Sequence, residues 1–179
     1  AVIRHKADIG FAFDGDGDRL ILSDEGGNII DGDFILAILG RYMMKNKMLK
    51  KNTVVGTHMS NRGLDFSLGE IGARLLRTDV GDRCIVEKMR EGGFSLGGEQ
   101  SGHIILLDEA TTADGMFVAC QLLKVMQEEN KPLSALASCL KKFPQKLINL
   151  KVKEKIPFEN IPGFKKAILD AERRLKDGR

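Results

Sequence analysis

Between residues 53 and 129 the chain alternates short β-branched and aliphatic runs with longer runs whose apolar positions recur at helical spacing. That rhythm narrows the fold more than any other feature, because strands separated by helices pair in parallel and must be covered on their faces. "NTVVGT" (52–57) reads as a strand followed by a helix near residues 62–71, and "ARLLRT" (73–78) as a strand followed by a helix over 82–90. "FSLGGE" (94–99) and "HIILLD" (103–108) read as strands around a Gly-rich turn. "ADGMFVACQLLKVMQEE" (113–129) reads as a long amphipathic helix capped by Asp114. Upstream, "ADIGFAF" (7–13) and "RLILSD" (19–24) read as strands flanking an acidic loop. "DEGGNIIDGD" (24–33) carries a Gly-Gly-Asn turn, and Asp31 or Asp33 is placed to cap a helix through "FILAILGRYMMKN" (34–46). The expectation is an α/β fold with a mixed, largely parallel sheet flanked by helices.

Beyond residue 130 the pattern changes. "LSALASCLKKF" (133–143) reads as a shorter helix, "QKLINLKVKE" (145–154) alternates as a strand, and "GFKKAILDAERRLKDG" (163–178) is a charged amphipathic helix. A lone strand–helix pair cannot close its own core, so this stretch reads as the opening of another domain, and both chain ends read as cut. No apolar stretch approaches a membrane span, and the first residues lack the apolar centre of a signal peptide. Three widely spaced cysteines (Cys84, Cys120, Cys139) without a CxxC pair read as buried, reduced thiols in a cytosolic protein. Residues 141–179 carry 12 Lys/Arg against 5 Asp/Glu, whereas residues 1–140 carry 16 against 20. The basic residues are interleaved with apolar ones and lack aromatic companions, which fits a solvated helix face and not a nucleic-acid surface.

Chemistry concentrates in three loops. In "AFDGDGDRLI" (12–21), Asp14, Asp16 and Asp18 alternate with glycines and are followed by Arg19. Three like charges this close repel one another, and a hard divalent cation would remove the repulsion. One reading is an EF-hand-like calcium loop with Glu25 as the distal ligand, although Arg19 stands where that loop requires Gly. Another is a three-carboxylate magnesium site with Arg19 facing a phosphoryl group, and a third is a solvated acidic turn. "GGEQSGH" (97–103) offers Glu99, Ser101 and His103 as hydrogen-bonding groups for a polyhydroxylated ligand, or is simply a hairpin turn around a structural histidine. "TDVGDR" (78–83) sits at a strand-to-helix junction where Arg83 can meet an anion, or where Asp82 merely caps a helix. "THMSNRG" (57–63) occupies the equivalent strand end, and "TTADG" (111–115) reads as capping.

Taken together these loops resemble the α-D-phosphohexomutase family. "DGDGDR" (14–19) is similar to its magnesium loop and "GEQSGH" (98–103) to its sugar-recognition loop. The phrases "DGD" (31–33), "MSNRG" (59–63), "VGDR" (80–83), "EKM" (87–89) and "ILLDEATTADG" (105–115) most resemble the phosphoglucosamine mutase branch. The resemblance implies phosphate transfer between the 6- and 1-positions of glucosamine through a phosphoserine and a bisphosphate intermediate. It implies Mg²⁺ held by Asp14, Asp16 and Asp18, with Arg19 on the phosphoryl group. Glu99 and Ser101 would bind sugar hydroxyls, His103 would contact ligand or aid proton transfer, and Asp82 and Arg83 would line the cleft. A phosphomannomutase or phosphoglucomutase relative is the near alternative, and a non-catalytic calcium or sugar-phosphate module the distant one. By family layout, residues 1–28 would end a second domain, 29–143 would form the third, and 144–179 would begin a truncated fourth. A cytoplasmic enzyme with a hexosamine phosphate substrate, and no nucleic-acid or membrane partner, is implied; homodimerisation of the full-length protein is left open. The family's Ser-His loop and its Arg/Ser/Gly/Thr phosphate loop are not found here. The 179-residue chain is therefore expected to show no turnover of glucosamine 6-phosphate in a coupled assay, and robust conversion would refute the reading.

Overall fold

The computed structural model describes residues 1–148, 151–154 and 156–175, which divide into two units, one through Phe143 and one from Pro144 onward. In the first unit a short helix α1 (Val2–His5) precedes strands β1 (Ile9–Phe13), β2 (Leu20–Asp24) and β3 (Ile29–Ile30). These form an antiparallel sheet in the order β1-β2-β3, with Phe13 opposite Leu20. Helix α2 (Gly32–Lys45) leads to β4 (Thr53–Thr57), α3 (Arg62–Gly69), β5 (Arg74–Thr78), α4 (Asp82–Gly92), β6 (Leu96–Gly98), β7 (Ile104–Leu106), α5 (Gly115–Glu129) and α6 (Leu133–Ala137).

The second sheet has the order β5-β4-β6-β7. Its β4 pairs in parallel with β5 and β6, and β6 and β7 close it as an antiparallel hairpin. The α/β architecture with a mixed, largely parallel sheet is as the sequence rhythm implies. Every residue of β4 is buried, as a central strand covered on both faces requires. Val54 joins the larger core with Ile35, Leu36 and Leu39 of α2, Leu64 and Leu68 of α3, and Leu122 of α5. Its neighbour Val55 points the other way, into a smaller cluster with Ile85 and Met89 of α4. Helices thus sandwich the sheet, and the apolar stripe of each helix is what the sheet buries.

Several local expectations are corrected. Asp31 stands at the cap position of α2, but its side chain makes no capping hydrogen bond and instead pairs with Lys142. Asp33 is fully buried in the first turn, where its Oδ2 accepts from Asn61 N at 2.9 Å. The helix expected over 133–143 ends at Ala137. The chain beyond it is drawn out because Asn61 Oδ1 accepts from Phe143 N and Asn61 Nδ2 donates to Phe143 O, both at 2.9 Å. Cys120 is exposed and the other two cysteines only partly buried; all three are free thiols. Asp114 does cap α5, accepting from Phe117 N at 2.9 Å.

In the second unit, residues 145–148 and 151–154 are not strand, because no ladder among the described residues includes them and a strand needs one; residues 149–150 of that expected strand lie outside the described residues. Helix α7 (Phe164–Leu175) forms within the expected 163–178, of which residues 176–178 lie outside the described residues, and it buries none of its residues, in keeping with a solvated face. No helix among the described residues is long and apolar enough to cross a membrane.

Burial pushes the Asp33 carboxyl up to about 6, against the opposing pull of the Asn61 N–H. In the unfolded chain this group ionises near 3.8. The folded state therefore holds the extra proton between those values, and this group's contribution to stability falls as pH rises from about 4 to about 6. The Asp33→Asn variant should gain on the parent by up to about 3 kcal/mol between pH 4 and pH 7 in urea denaturation. A pH-independent difference between the two would show that Asp33 does not titrate there.

Candidate active site

The loops that carry the chemistry gather at one edge of the second sheet. In parallel α/β sheets the carboxyl ends of the strands leave backbone amides and loop side chains facing a common crevice. Asp82 and Arg83 open α4 just after β5, and Glu99 to His103 connect β6 with β7. The acidic loop comes from the other sheet, between β1 and β2, yet it docks on the β6–β7 connection. Leu20 N donates to Gly102 O at 3.1 Å, and Arg19 and His103 form an antiparallel bridge. Backbone hydrogen bonds thus tie the acidic loop to the Glu99–His103 connection.

Asp14, Asp16 and Asp18 each place a carboxylate oxygen within 4.8 Å of the others. Arg19 partly neutralises them, with its Nε 2.6 Å from Asp14 Oδ2 and 3.5 Å from Asp18 Oδ1, while its backbone N donates to Asp14 Oδ1 at 3.2 Å. Burial works to raise the Asp14 carboxyl, but the Arg19 N–H and guanidinium outweigh it and hold it below its ordinary value. Asp18 goes the other way, raised by burial and then by the charges of Asp16 and Asp14. Its Oδ1 is buried and accepts no hydrogen bond. A convergent, under-neutralised set of hard oxygen donors fits a divalent cation of the Mg²⁺ or Ca²⁺ type. The calcium-loop register fails, however. Glu25 lies past the far end of β2, where it accepts from Ser134 N at 3.3 Å and from the Ser134 hydroxyl.

His103 is only 6% exposed and lies between two carboxylates. Its Nδ1 is 3.2 Å from Asp82 Oδ1, without hydrogen-bond alignment, and its Nε2 is 3.6 Å from Asp18 Oδ2. The two nitrogens face different partners, so the imidazole bridges the acidic loop and the start of α4. Asp82 therefore does not cap its helix: the cap residue is Gly81, and no side chain caps it. A cleft of about 670 Å³ opens beside these groups, lined by Asp16, Asp18, Asp82, Arg83 and His103.

Glu99 and Ser101 do not line that cleft. Glu99 Oε1 accepts from Gly81 N at 2.9 Å and its Oε2 from the Ser101 hydroxyl at 3.2 Å. Arg83 pairs with Glu87 along its own helix at 2.7 Å. Sequence reasoning missed Arg90, Thr111 and Thr112, which also line the cleft. The spacing of Arg83, Glu87 and Arg90, one turn apart on a helix, was the available signal for Arg90. It also missed the tie behind the loop, where Gln100 Nε2 donates to Asp31 Oδ2 at 3.2 Å and Gly32 N to Gln100 O at 3.0 Å.

Residues 31–143 match the family described as phosphoglucomutase/phosphomannomutase, alpha/beta/alpha domain III. The chain is 53% identical over 175 residues to the phosphoglucosamine mutase of Anaeromyxobacter dehalogenans, covering 98% of this chain and 38% of that protein. It is 50% identical over 175 residues to that of Pelobacter propionicus, covering 98% of this chain and 39% of the relative. The chain thus spans about two fifths of the length of these curated relatives. Among solved structures, a phosphoglucomutase/phosphomannomutase family protein of Burkholderia thailandensis superposes with a TM-score of 0.70 at 29% identity, over 77% of this chain and 30% of that one. The fold is shared as well with an N-acetylphosphoglucosamine mutase of Aspergillus fumigatus in complex with GlcNAc-6P and magnesium, with a TM-score of 0.80 at 17% identity over 99% of this chain and 48% of that one.

Gly102 adopts a φ of +96°, and a Cβ there would lie 2.2 Å from Leu20 O. Neither the backbone conformation nor the space admits a side chain. Gly102→Ala should lower stability by at least about 2 kcal/mol in urea denaturation, and an unchanged midpoint would show that the two loops are not held together at this point.

Proposed function

Because the chain belongs to the phosphoglucomutase/phosphomannomutase family, we propose that it is the central part of a phosphoglucosamine mutase interconverting glucosamine 6-phosphate and glucosamine 1-phosphate. The observation that carries this reading is the backbone junction of a three-carboxylate loop with the Glu99–His103 loop, beside a cleft that Asp16, Asp18 and His103 line. The approximately half-identical relatives, all phosphoglucosamine mutases, support the amino sugar as substrate. On this reading residues 1–28 close a second domain, 29–143 are the third, and 144–179 begin a fourth. The phosphoryl donor is a phosphoserine contributed by a part of the protein outside these residues. The whole protein works in the cytoplasm, and homodimerisation is open to it.

Asp14, Asp16 and Asp18 would hold Mg²⁺, an assignment supported by their convergence and by the magnesium complex of the Aspergillus neighbour. When bound, the ion withdraws charge from a phosphoryl group in transfer. Arg19, already drawn toward the loop by Asp14, supplies a fixed positive charge at the same place. His103, buried between Asp18 and Asp82, is placed to hold or pass a proton at the sugar hydroxyl that accepts or releases phosphate. Glu99, held by Gly81 N and by the Ser101 hydroxyl, would offer its carboxylate oxygens, and Ser101 its hydroxyl oxygen, as acceptors to the sugar hydroxyls. Asp82 and Arg83 border the cleft, where Arg83 offers a charge to a second phosphate.

Asp16 is exposed and carries no hydrogen bond that shapes the fold. In the full-length protein Asp16→Ala should therefore reduce turnover of glucosamine 6-phosphate at least about a hundredfold with an unchanged melting temperature. Near-parental turnover would remove Asp16 from the metal set, and faster turnover of mannose or glucose 6-phosphate than of the amino sugar would overturn the substrate.

A further inference from the structure

We propose that Gly115, the first residue of α5, is a positioning residue for the acidic loop, a role that rests on reading Asp14, Asp16 and Asp18 as a cation site. The "TTADG" segment reads as helix capping, and Asp114 does cap α5. Capping by Asp114 goes to Phe117 N, which leaves the Gly115 N–H among the unpaired first-turn donors of the helix. That N–H donates instead to Gly17 O at 2.9 Å. Gly17 lies between Asp16 and Asp18, so this bond fixes the peptide that joins two of the three carboxylate-bearing stretches.

Space makes the same point independently. A Cβ on residue 115 would lie 2.9 Å from Gly17 O, 2.9 Å from Arg19 O and 3.1 Å from Arg19 C. These are backbone atoms, which cannot rotate aside as a flexible side chain can. Retreat of the loop is also blocked on its other side. Arg19 is bridged to His103, and Leu20 N is bonded to Gly102 O. A side chain at 115 must therefore push on the backbone at Gly17 and at Arg19, and so on Asp18 held between them. Three oxygens that converge within 4.8 Å lose their common centre under a displacement of that kind. Alanine does not weaken the helix's own propensity, so the strain of the change falls on the acidic loop.

Mn²⁺ binding to the 179-residue chain, read from the electron paramagnetic resonance of the free ion, tests this. Gly115→Ala should weaken Mn²⁺ binding at least about tenfold with a melting temperature close to the parent's, and Asp16→Ala should abolish it. Parental Mn²⁺ affinity in Gly115→Ala, with loss in Asp16→Ala, overturns the role of Gly115 and leaves the cation site standing. Parental affinity in Asp16→Ala overturns the cation reading and the inference with it. Should Gly115→Ala fail to fold, Mg²⁺ titration of the unaltered chain by amide NMR decides. The Gly115 amide should shift along the same saturation curve as the Gly15 and Gly17 amides, and an unmoved Gly115 amide overturns the proposal.

Discussion

One backbone hydrogen bond, from Leu20 N to Gly102 O, determines how the rest of the site is arranged. The acidic loop belongs to the first, antiparallel sheet and the Glu99–His103 connection to the second, mixed one, so nothing in either sheet alone sets their separation. Pairing at residues 20 and 102 converts two local structures into one surface. Its cost, the immobilisation of both loops, is met when the chain folds and need not be met again when a ligand arrives. The orientation of His103 follows from the same pairing, since its neighbour in sequence is one partner of that bond.

Electrostatics then acts on a fixed frame. Asp14 and Asp18 are pushed in opposite directions because Arg19 sits against the first while burial and two neighbouring carboxylates act on the second. A loop of this composition in free solution would spread to separate its charges. Here Arg19 and the surrounding backbone hold it closed. The exposed guanidinium is therefore part of the loop's architecture as well as of its chemistry.

Much of this was legible in the sequence where period and type agree. The β-branched run at Val54 and Val55, the capping Asp114 and the alternating aspartates each state a local structure that the fold retains. The candidates Asp18, Asp82 and His103 were legible by residue type, and the fold brings their carboxylates and imidazole together although they are far apart in the chain. Illegible were the contacts made across long separations. Asp31 carries a capping residue type, yet Lys142 claims its carboxylate, and the run 133–143 has helical spacing, yet Asn61 pulls its last residues straight. The alternation at 145–154 fits a strand, but pattern supplies only one side of a ladder. Glu25 has the residue type of a calcium ligand and the spacing of one, and a strand of five residues carries it away.

The bonds from Asn61 to Phe143 have a temporal side. They join residues 82 positions apart, while Lys142 reaches back 111 positions to Asp31 and Ser134 reaches 109 to Glu25. These polar clasps close the first unit into a ring, and the ring has no shorter version. On the ribosome, each hairpin and helix can form as it emerges, but Asp31 and Asn61 wait for the far end of the unit to clear the exit tunnel. An early part of this unit is thus completed by its last residues, and a polypeptide stopped short of residue 143 would lack the clasp.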